Sequence, residues 1–491
     1  MKSRTILIGF LALISYSAST QAQIRSDFVL FSQGFDPDLA FDAQNRLHAT
    51  MWTRDRDAYY GLFDSMGQEI IAPKRISTFP NALIPKLAVN ENHVAIVWVA
   101  QGIDGSKIMG RLLTVDGDSA SSTVAFTDYE GVAAVPDVTF LNDSTFIVIW
   151  TGEGGIYGQI ATTSLQFLGS NILLSDHPLP DVIYGRSRVL SRASTDDFAV
   201  VWRDNHSGSQ KVFGRLFFSD GTPKNSSFLI SEDEELSNSR FVSAAVDTTS
   251  GNFAVVWGTE KASYWIIQWR RFRSDGTPFG PSEKVNSSLD VGEPYPLVDI
   301  SNANGKYVIV WTQKENTISK IYAQRFLEDG TALGNNFRVS ASSDTFAQSF
   351  PSIVLHEDKI YTAWEKLDNS TTTSRNIWAN ILDFNDPTLE VENPTEGVLQ
   401  SFHLFQNYPN PFNPETVIKY QLTSSSPVSL KIYNLRGQEV RTLVNEIKAA
   451  GEYEVNWDGQ DNFGKGVASG VYVYRLQAGE QVAVKKLTLL R

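Results

Sequence analysis

The chain has 491 residues, 42% hydrophobic and 20% charged, a composition typical of a globular protein with two or more domains. It contains no cysteine, which excludes disulfides, thiolate metal sites, a cysteine nucleophile and a lipid-modified N-terminal cysteine. Within a net charge of −13, residues 23–398 carry 30 basic against 47 acidic residues, and so acidic a body argues against nucleic acid, whose phosphates select clustered Lys and Arg.

Residues 1–22 have the three regions of a cleavable secretory signal. Lys2 and Arg4 precede an apolar stretch over residues 6–14, and small residues follow as far as Ala22. The mature chain is expected to begin near Gln23. The alternative is a membrane anchor, but about ten apolar residues fall well short of the ~20 that span a bilayer. We therefore expect no transmembrane segment after removal of the signal.

Tryptophan marks an internal repeat in the body of the chain. Seven tryptophans each end a short apolar strand, as in Phe198–Trp202, and they follow one another at intervals of 46, 52, 52, 55, 54 and 53 residues. These are Trp52, Trp98, Trp150, Trp202, Trp257, Trp311 and Trp364. A period near 50 residues indicates seven copies of one structural unit.

Each repeat contains four strand signals in the same order, and the third and fourth are often joined by an Asp-Gly turn such as Asp220-Gly221. Asp-Gly readily adopts the positive φ values of a tight hairpin, so antiparallel pairing is expected. The second strand is apolar on both faces, which requires cover on both sides. A ring of face-to-face sheets supplies it. The sequence thus predicts an all-β fold with a seven-bladed β-propeller over residues 23–384.

The first strand of this body is predicted to complete the last blade. Residues 27–32 read like the fourth strand of a repeat, whereas the last repeat, residues 350–384, has only three strands of its own. We therefore expect residues 27–32 to pair with residues 377–382. Residues 385–400, which are acidic and contain proline, are predicted to be an exposed linker.

The repeats are similar to those of many large secreted bacterial proteins, on the basis of segments such as Gly214–Phe217 and Asp220–Pro223. This resemblance implies a structure and no defined activity. The turns lack the Ser-x-Asp-x-Gly-x-Thr-Trp pattern of the sialidase Asp-box, so the sequence does not support a sialidase.

Residues 401–491 contain short strand fragments separated by turns, beginning after a proline-rich run at residues 406–414 and ending with residues 485–491. Their order resembles the C-terminal sorting domain of type IX (Por) secretion, which is related to the Ig-like domain of flagellar hook-capping proteins. The resemblance implies a small Ig-like β-sandwich and export through the periplasm to the outer surface or medium. It also implies recognition by the outer-membrane secretion machinery and, often, removal of the domain by a cut near the linker. The motif residues are Asn407, Pro409, Asn410, Pro411, Phe412, Asn413, Pro414, Gly470, Tyr472, Lys485 and Lys486.

An aromatic group in the fifth repeat is the main candidate for ligand binding. Trp269 stands where the other repeats mostly have glycine or alanine, and Tyr264 and Trp265 lie just before it. Such a platform would stack on a sugar ring or grip an apolar partner. The alternative is packing between neighbouring sheets.

Two polar candidates are weaker. His177 and His206 fall in adjoining predicted loops beside Asp176 and Asp204, a set of residue types that binds zinc, although solvated histidines are the simpler interpretation. The loops predicted to share one face of the ring are acidic, which suits a cation or a basic partner but is also ordinary for loops. Their carboxylates are Asp128, Glu130, Asp176, Glu232, Asp233, Glu234, Glu235, Asp290, Glu293 and Asp344.

Three functions fit this sequence. The first is a secreted or cell-surface binding or structural module with an extracellular ligand, a glycan or a protein. The second is a carbohydrate-active enzyme, a glycoside hydrolase or lyase, acting on the loop-rich face. The third is a passive surface or adhesion component. No catalytic residue, metal ligand set or cofactor motif stands out, so we assign no catalytic residue, metal or cofactor.

Overall fold

The computed structural model describes residues 23–490 with gaps. The gaps are 79–80, 103–104, 129–130, 177–186, 193–196, 205–209, 233–238, 262–263, 288–296, 316–317, 341–345, 368–374, 387–388, 390–402, 405–406, 408, 423–425, 449–450 and 480. The predicted signal, most of the predicted linker, His177 and His206 lie outside the described residues. Contacts divide the chain into two compact units, residues 1–391 (the body) and 392–491 (the C-terminal unit).

The described residues of the body form seven four-stranded antiparallel sheets, numbered here in chain order. Sheets 1 to 4 are β2–β5 (Gly34–Phe41, Leu47–Thr53, Ala58–Phe63, Glu69–Arg75), β6–β9 (Ala82–Val89, His93–Gly102, Gly105–Thr114, Val124–Ala125), β10–β13 (Ala134–Phe140, Thr145–Gly152, Gly155–Thr162, Ile172–Leu173) and β14–β17 (Arg188–Arg192, Asp197–Asp204, Lys211–Phe218, Phe228–Leu229). Sheets 5 to 7 are β18–β21 (Ser239–Val246, Phe253–Lys261, Tyr264–Phe272, Glu283–Lys284), β22–β25 (Val298–Ala303, Lys306–Glu315, Ile318–Phe326, Ala332–Arg338) and β26–β28 (Gln348–His356, Lys359–Leu367, Arg375–Asp383) with β1 (Gln23–Phe31).

The strand β1 completes sheet 7, as the sequence predicts. It pairs antiparallel with β28, with Phe28 opposite Ala379 and Phe31 opposite Ile377. The side chains of Leu30 and Phe31 are buried in the core formed by sheets 7 and 1. The N-terminal strand therefore joins the two ends of the body without a covalent link.

The sheets contact one another in a closed order through their first strands. The contacting pairs are β2 with β6, β6 with β10, β10 with β14, β14 with β18, β18 with β22, β22 with β26 and β26 with β2. Separate apolar clusters fill the spaces between consecutive sheets, and each contains side chains from both neighbours. This arrangement covers both faces of each second strand, which explains why those strands are apolar throughout.

Six of the seven repeat tryptophans are buried, and the exception is in the first repeat. Trp52 is half-buried and stacks on Phe35 with ring centroids 4.7 Å apart. Trp52 lies one residue beyond the position of the other repeat tryptophans: Met51 occupies that position and is buried between sheets 7 and 1, as Trp311 is buried between sheets 5 and 6. Most repeat tryptophans therefore form the core, as expected, while Trp52 lies at its margin.

The Asp-Gly turns are tight hairpins that rest on the preceding sheet. In the turn of sheet 4, Gly221 has φ +87°, and the Asp220 carboxylate accepts a hydrogen bond of 2.8 Å from the Thr222 N–H. A side chain at Gly221 would collide with Ile172 of sheet 3. The glycine is needed both for the turn and for the close approach of two sheets.

A side-chain hydrogen bond links six of the sheets to the preceding sheet. The donor is a side chain on the third strand or an asparagine that is itself hydrogen-bonded to a third-strand glutamine. The acceptor is each time a carbonyl just after the fourth strand of the preceding sheet. The donor and acceptor pairs are Arg111 to Ile76, Asn171 to Phe126, Arg215 to Leu174, Arg270 to Ile230, Asn336 to Val285 and Asn380 to Val339. In sheet 1 the corresponding position, six residues before the turn glycine Gly67, is occupied by Gly61, which has no side chain to donate.

We expect Asn380→Leu to destabilise the body by about 1–3 kcal/mol, because the buried Val339 carbonyl would lose its donor without gaining contact with water. Denaturant unfolding of the purified chain measures this. Asn92→Leu, at an exposed bend between β6 and β7, is the control and should change stability by less than about 0.5 kcal/mol. Equal effects of the two substitutions would contradict a structural role for the hydrogen bond.

The C-terminal unit contains two sheets that face a common core. One has the order β29 (His403–Leu404), β30 (Thr416–Leu422), β33 (Gly451–Trp457), and the other has the order β32 (Glu439–Lys448), β31 (Ser426–Tyr433), β34 (Gly470–Ala478), β35 (Gln481–Leu489). Trp457, Leu430 and Tyr474 lie at the centre of this core. The described part of the chain has no helix long and apolar enough to cross a membrane.

Candidate functional site

The first strands of five sheets share a β-bulge with unusual backbone geometry. In each bulge one residue that is not glycine has a φ between 46° and 56°. These residues are Asp36, Ile84, Val135, Phe241 and Phe350, and the side chains two residues later belong to Asp38, Lys86, Asp137, Ser243 and Ser352. Positive φ is costly for β-branched residues such as Ile84 and Val135. Strain repeated at one position of a repeat points to a function for the side chain that it re-aims.

Four of the re-aimed side chains, with two from the remaining first strands, form a group that we call the inner-strand cluster: Asp38, Lys86, Asp137, Arg188, Ser243 and Asp299. Lys86 Nζ lies 2.9 Å from Asp38 Oδ1. The Arg188 guanidinium lies 3.6 Å from Asp137 Oδ1 and 3.5 Å from Asp299 Oδ1. The Ser243 hydroxyl donates to Asp299 over 2.6 Å. Side chains from sheets 3, 4, 5 and 6 thus meet around one guanidinium.

Each aspartate of the cluster also accepts a backbone hydrogen bond from the next sheet. Asp38 accepts from the Leu87 N–H and Asp137 from the Val189 N–H, both over 2.9 Å. Asp299 accepts from the Ile353 N–H over 3.1 Å. The carboxylates therefore bind a cation with one oxygen and join two sheets with the other.

Electrostatics in the cluster reflect its burial. Burial raises the pKa of Asp137, and the nearby Arg188 opposes this effect. Burial disfavours the charged form of Arg188, but Asp137 and Asp299 outweigh it and raise the pKa of the guanidinium. The charges of this cluster stabilise one another across sheets.

A second carboxylate lies where sheets 7 and 1 meet. Glu365, on β27, is 2% exposed. It accepts a hydrogen bond of 2.8 Å from the Asp36 N–H of sheet 1 and forms an ion pair of 2.6 Å with Arg375. Burial raises the pKa of Glu365 to about 7, although the Asp36 N–H and Arg375 oppose the shift.

We expect the stability of the body to depend on pH through the titration of Glu365. The folded protein keeps this proton up to about pH 7, whereas the unfolded chain releases it near its usual pKa of 4.5, so folding weakens as pH rises between these values. Glu365→Gln does not titrate. From about pH 5 to about pH 8 its free energy of unfolding should therefore gain roughly 1–3 kcal/mol relative to wild type. Denaturant unfolding at both pH values measures the gain.

The control for this titration is Glu91→Gln, which changes an exposed carboxylate of the same body. Its stability relative to wild type should be the same at both pH values within about 0.5 kcal/mol. If Glu365→Gln also showed no pH-dependent difference, the proton would not be held by the folded state.

A buried chain of polar groups joins sheets 1 and 2. His48 lies 2.9 Å from the Tyr60 hydroxyl and 3.1 Å from Asp42, and Arg46 forms 2.7 Å ion pairs with both Asp42 and Asp116. Burial lowers the pKa of His48, although the adjacent carboxylate of Asp42 opposes this effect. The residue types resemble a catalytic set, but His48 and Tyr60 are fully buried. Arg46, through Asp116 and the Val115 carbonyl, links this group to the Asp-Gly turn of sheet 2.

The aromatic candidates of the fifth repeat pack inside the body. Trp269 is 1% exposed, and its ring lies 4.2 Å from that of Phe326 and 5.6 Å from that of Tyr307, both on sheet 6. Trp265 is buried in the same cluster, and only the backbone of Tyr264 is described. The expected exposed platform is therefore corrected to the packing alternative for the two tryptophans, since neighbouring side chains cover their rings.

Two of the loop carboxylates that the structure describes contact the next sheet. Asp176 accepts a hydrogen bond of 2.7 Å from the Ser227 N–H, and Glu232 forms a 2.6 Å ion pair with Arg270. The remaining predicted loop carboxylates except Asp128 lie outside the described residues. Among the described residues, no group of three or more histidines and carboxylates is placed to hold a metal ion.

The motif residues of the C-terminal unit connect its first segment to its last strand. The Asn407 N–H donates to the Tyr474 hydroxyl over 2.9 Å, and the Asn407 side chain donates to the Pro409 carbonyl. Asn410 accepts a hydrogen bond from the Thr488 N–H of β35 over 2.8 Å, and Phe412 packs on Trp457. These contacts bring the proline-rich run and the chain end together.

The other motif residues lie near these contacts. Pro411 and Pro414 follow cis peptide bonds, the latter after Asn413. Gly470 begins β34, and the Tyr472 hydroxyl donates to the Ala468 carbonyl. Lys485 and Lys486 lie on β35, opposite Tyr474 and Val473.

A family model for the FlgD Ig-like domain matches residues 412–481. The C-terminal unit contains an Ig-like domain. This confirms the Ig-like part of the resemblance. A search of curated proteins found no match to the chain.

Solved structures similar to the chain differ widely in what they are. Polysaccharide lyase Uly1 is 9% identical, with 71% of this chain and 90% of that one covered at a TM-score of 0.46. U3-55K is 9% identical, with 73% and 98% covered at 0.45. The NanB sialidase from Streptococcus pneumoniae is 10% identical, with 74% and 70% covered at 0.41. At such identities and scores, these likenesses assign no activity to the chain.

Proposed function

We propose that the seven sheets are the blades of a seven-bladed β-propeller that works outside the cell as a binding or structural module. The carrying observation is the closed order of contacts among the first strands, together with the pairing of β1 with β28. The inner-strand cluster supports the same role, because its charges are engaged in joining sheets. Binding of an extracellular glycan or protein is then left to the loops between strands.

We further propose that the C-terminal Ig-like domain is the sorting signal that directs the chain to export. The domain carries the proline-rich run and the final lysine pair that resemble a type IX sorting domain, and residues 1–22 resemble a secretory signal. In this proposal the chain crosses the inner membrane, is recognised by the outer-membrane secretion machinery through this domain, and is released or displayed at the cell surface.

The binding role is tested with purified chain lacking residues 1–22 and a panel of soluble polysaccharides. Saturable binding without new reducing ends or unsaturated products supports a binding module. Turnover of any polysaccharide overturns it in favour of the second candidate. If the chain binds none of the glycans or extracellular proteins offered, the structural role is the one that remains.

A carbohydrate-active enzyme is the second candidate, and Glu365 is the observation that favours it. A carboxyl group with a pKa near 7 suits general acid catalysis. Asp36, whose N–H donates to Glu365, provides a second carboxyl group close to it. Its burial is the opposing observation, since a substrate would need access to this side chain. If wild type turns over a polysaccharide, Glu365→Gln should abolish that turnover; unchanged turnover in this variant would exclude Glu365 as the acid.

A further inference from the structure

Lys86, on β6 of sheet 2, is almost fully buried, which is rare for a lysine. It follows a β-bulge in which Ile84 has a φ of 52°, and its side chain is 4% exposed. Its Nζ lies 2.9 Å from Oδ1 of Asp38, on β2 of sheet 1, and the Asp38 side chain is 15% exposed. An amine and a carboxyl group from neighbouring sheets are therefore held in contact where little water reaches them.

The two carboxyl oxygens of Asp38 have different partners. Oδ1 faces Lys86, whereas Oδ2 accepts a hydrogen bond of 2.9 Å from the Leu87 N–H. When an amine adds to a carboxyl carbon, negative charge develops on the oxygen that remains, and a backbone N–H directed at that oxygen stabilises it. The Leu87 N–H is in this position, and Oδ1 is the oxygen that can depart with protons from Nζ.

Two further polar groups lie beside the pair. Burial raises the pKa of Asp137 in sheet 3, and the charges of Asp38 and Lys86 also act on it. A buried carboxyl group of this kind suits proton transfer between reacting atoms. Thr50 lies opposite Asp38 in the pairing of β2 with β3, and among the described residues its buried hydroxyl has no hydrogen-bond partner. Residues paired in this way place their side chains on one face of a sheet, so this hydroxyl is available to a water molecule released at Asp38.

We propose that Lys86 and Asp38 condense into an isopeptide bond that joins sheets 1 and 2 covalently. Nζ of Lys86 bonds to Cγ of Asp38, the bond from Cγ to Oδ1 breaks, and two protons from the ammonium group leave with Oδ1 as one water molecule. The ammonium and the carboxylate become one neutral amide without any change of oxidation state, so the reaction needs neither an oxidant nor a cofactor. Oδ2 becomes the amide oxygen and keeps its hydrogen bond from the Leu87 N–H.

Burial favours the amide over the ion pair. Removing an ammonium and a carboxylate from water carries a desolvation cost that their mutual attraction repays only in part, whereas a neutral amide does not carry this cost. Because the two groups are held in contact, the reaction is intramolecular, which raises its rate by a large factor. The chain has no cysteine, so the amide gives the body a covalent link between sheets that a disulfide cannot provide.

The test compares the full-length chain with its Lys86→Arg variant. Both are purified, held at neutral pH, unfolded and measured by intact-mass spectrometry. Arginine keeps the positive charge, but its guanidinium stays protonated and does not form the amide. We expect the wild-type mass to be lower, by one water molecule, than the mass calculated from the observed N-terminus, whereas the variant should have its full calculated mass. A wild-type chain of full calculated mass would overturn the inference and leave the contact as an ion pair.

The same variant identifies water that is lost elsewhere in the chain. Asp-Gly sequences such as Asp220-Gly221 can also lose one water molecule, by cyclising to a succinimide. This loss does not require Lys86, so it would be found equally in wild type and in Lys86→Arg. A water molecule missing from both chains would therefore overturn the inference.

Digestion with trypsin locates the bond and does not depend on whether the variant folds. Trypsin cleaves after unmodified lysines, so in wild type we expect no cleavage after Lys86 and a branched peptide that contains Lys86 and Asp38. Lys306 and Asp358 are the matched control, because they form an ion pair of 2.7 Å with side chains 29% and 45% exposed. Trypsin should cleave after Lys306 without a branched product. Complete cleavage after Lys86, or a branched peptide at Lys306 as well, would overturn the proposal that the buried site forms the bond.

Discussion

Deletion of residues 23–31 is expected to lower the stability of the body by about 5 kcal/mol or more, the largest effect of any change considered for this chain. The strand pairs with β28 along its length and buries Leu30 and Phe31. The Phe31 ring lies 5.8 Å from that of Phe63 in sheet 1, so its loss opens the core on both sides of the junction. The deletion also leaves β28 as an unpaired edge.

Calorimetry of the chain beginning at residue 32, compared with the chain beginning at residue 23, measures this effect. The body and the C-terminal unit are separate compact units, so the transition of the body must be followed by itself. Val29→Ser provides the control, since Val29 lies on the same strand but is exposed. An unchanged melt of the shortened chain would mean that the contact between sheets 7 and 1 does not depend on β1.

The sequence predicts the repeated sheets because the signals are local and periodic. Each repeat tryptophan ends a strand that is apolar on both faces, and the Asp-Gly turns specify hairpins without help from distant residues. The closing strand could be predicted for the same reason, since residues 27–32 have the pattern of a fourth strand at the wrong end of the body. Periodicity thus gives element order and pairing.

The inner-strand cluster could not be predicted in this way. Ile84 and Val135 have positive φ, which β-branched side chains disfavour, so the conformational preferences of these residues do not predict the bulge. The bulge precedes Lys86 and Asp137, whose side chains lie against charges of neighbouring sheets. The available signal was a polar residue at a matching position of successive first strands.

Trp269 is a case in which the sequence identifies an unusual residue but not its role. Its contrast with the glycines and alanines of other repeats was visible in the sequence, but its role depends on the space between sheets 5 and 6, where Phe326 and Tyr307 cover it. A large residue at a position of small ones can fill a gap or line a surface. Only the three-dimensional packing distinguishes these outcomes.

The body also provides a test of burial, because two tryptophans on second strands differ in exposure. We expect Trp311→Ala to destabilise the body by ~3–5 kcal/mol, since Trp311 is fully buried and its indole N–H also donates to Gln313 over 3.0 Å. Trp52→Ala should cost only ~1–2 kcal/mol, because Trp52 is half-buried and less of its apolar surface is removed from water.

Denaturant unfolding of both variants, with the transition of the body monitored in each, gives the two free energies on one scale. The same substitution is made near the end of the second strand of a sheet in both variants, so the contrast mainly reports packing. Equal losses would mean that Trp52 is as deeply packed in solution as Trp311. A larger loss for Trp311 would show that Trp52 lies at the margin of the core, as its half-buried side chain indicates.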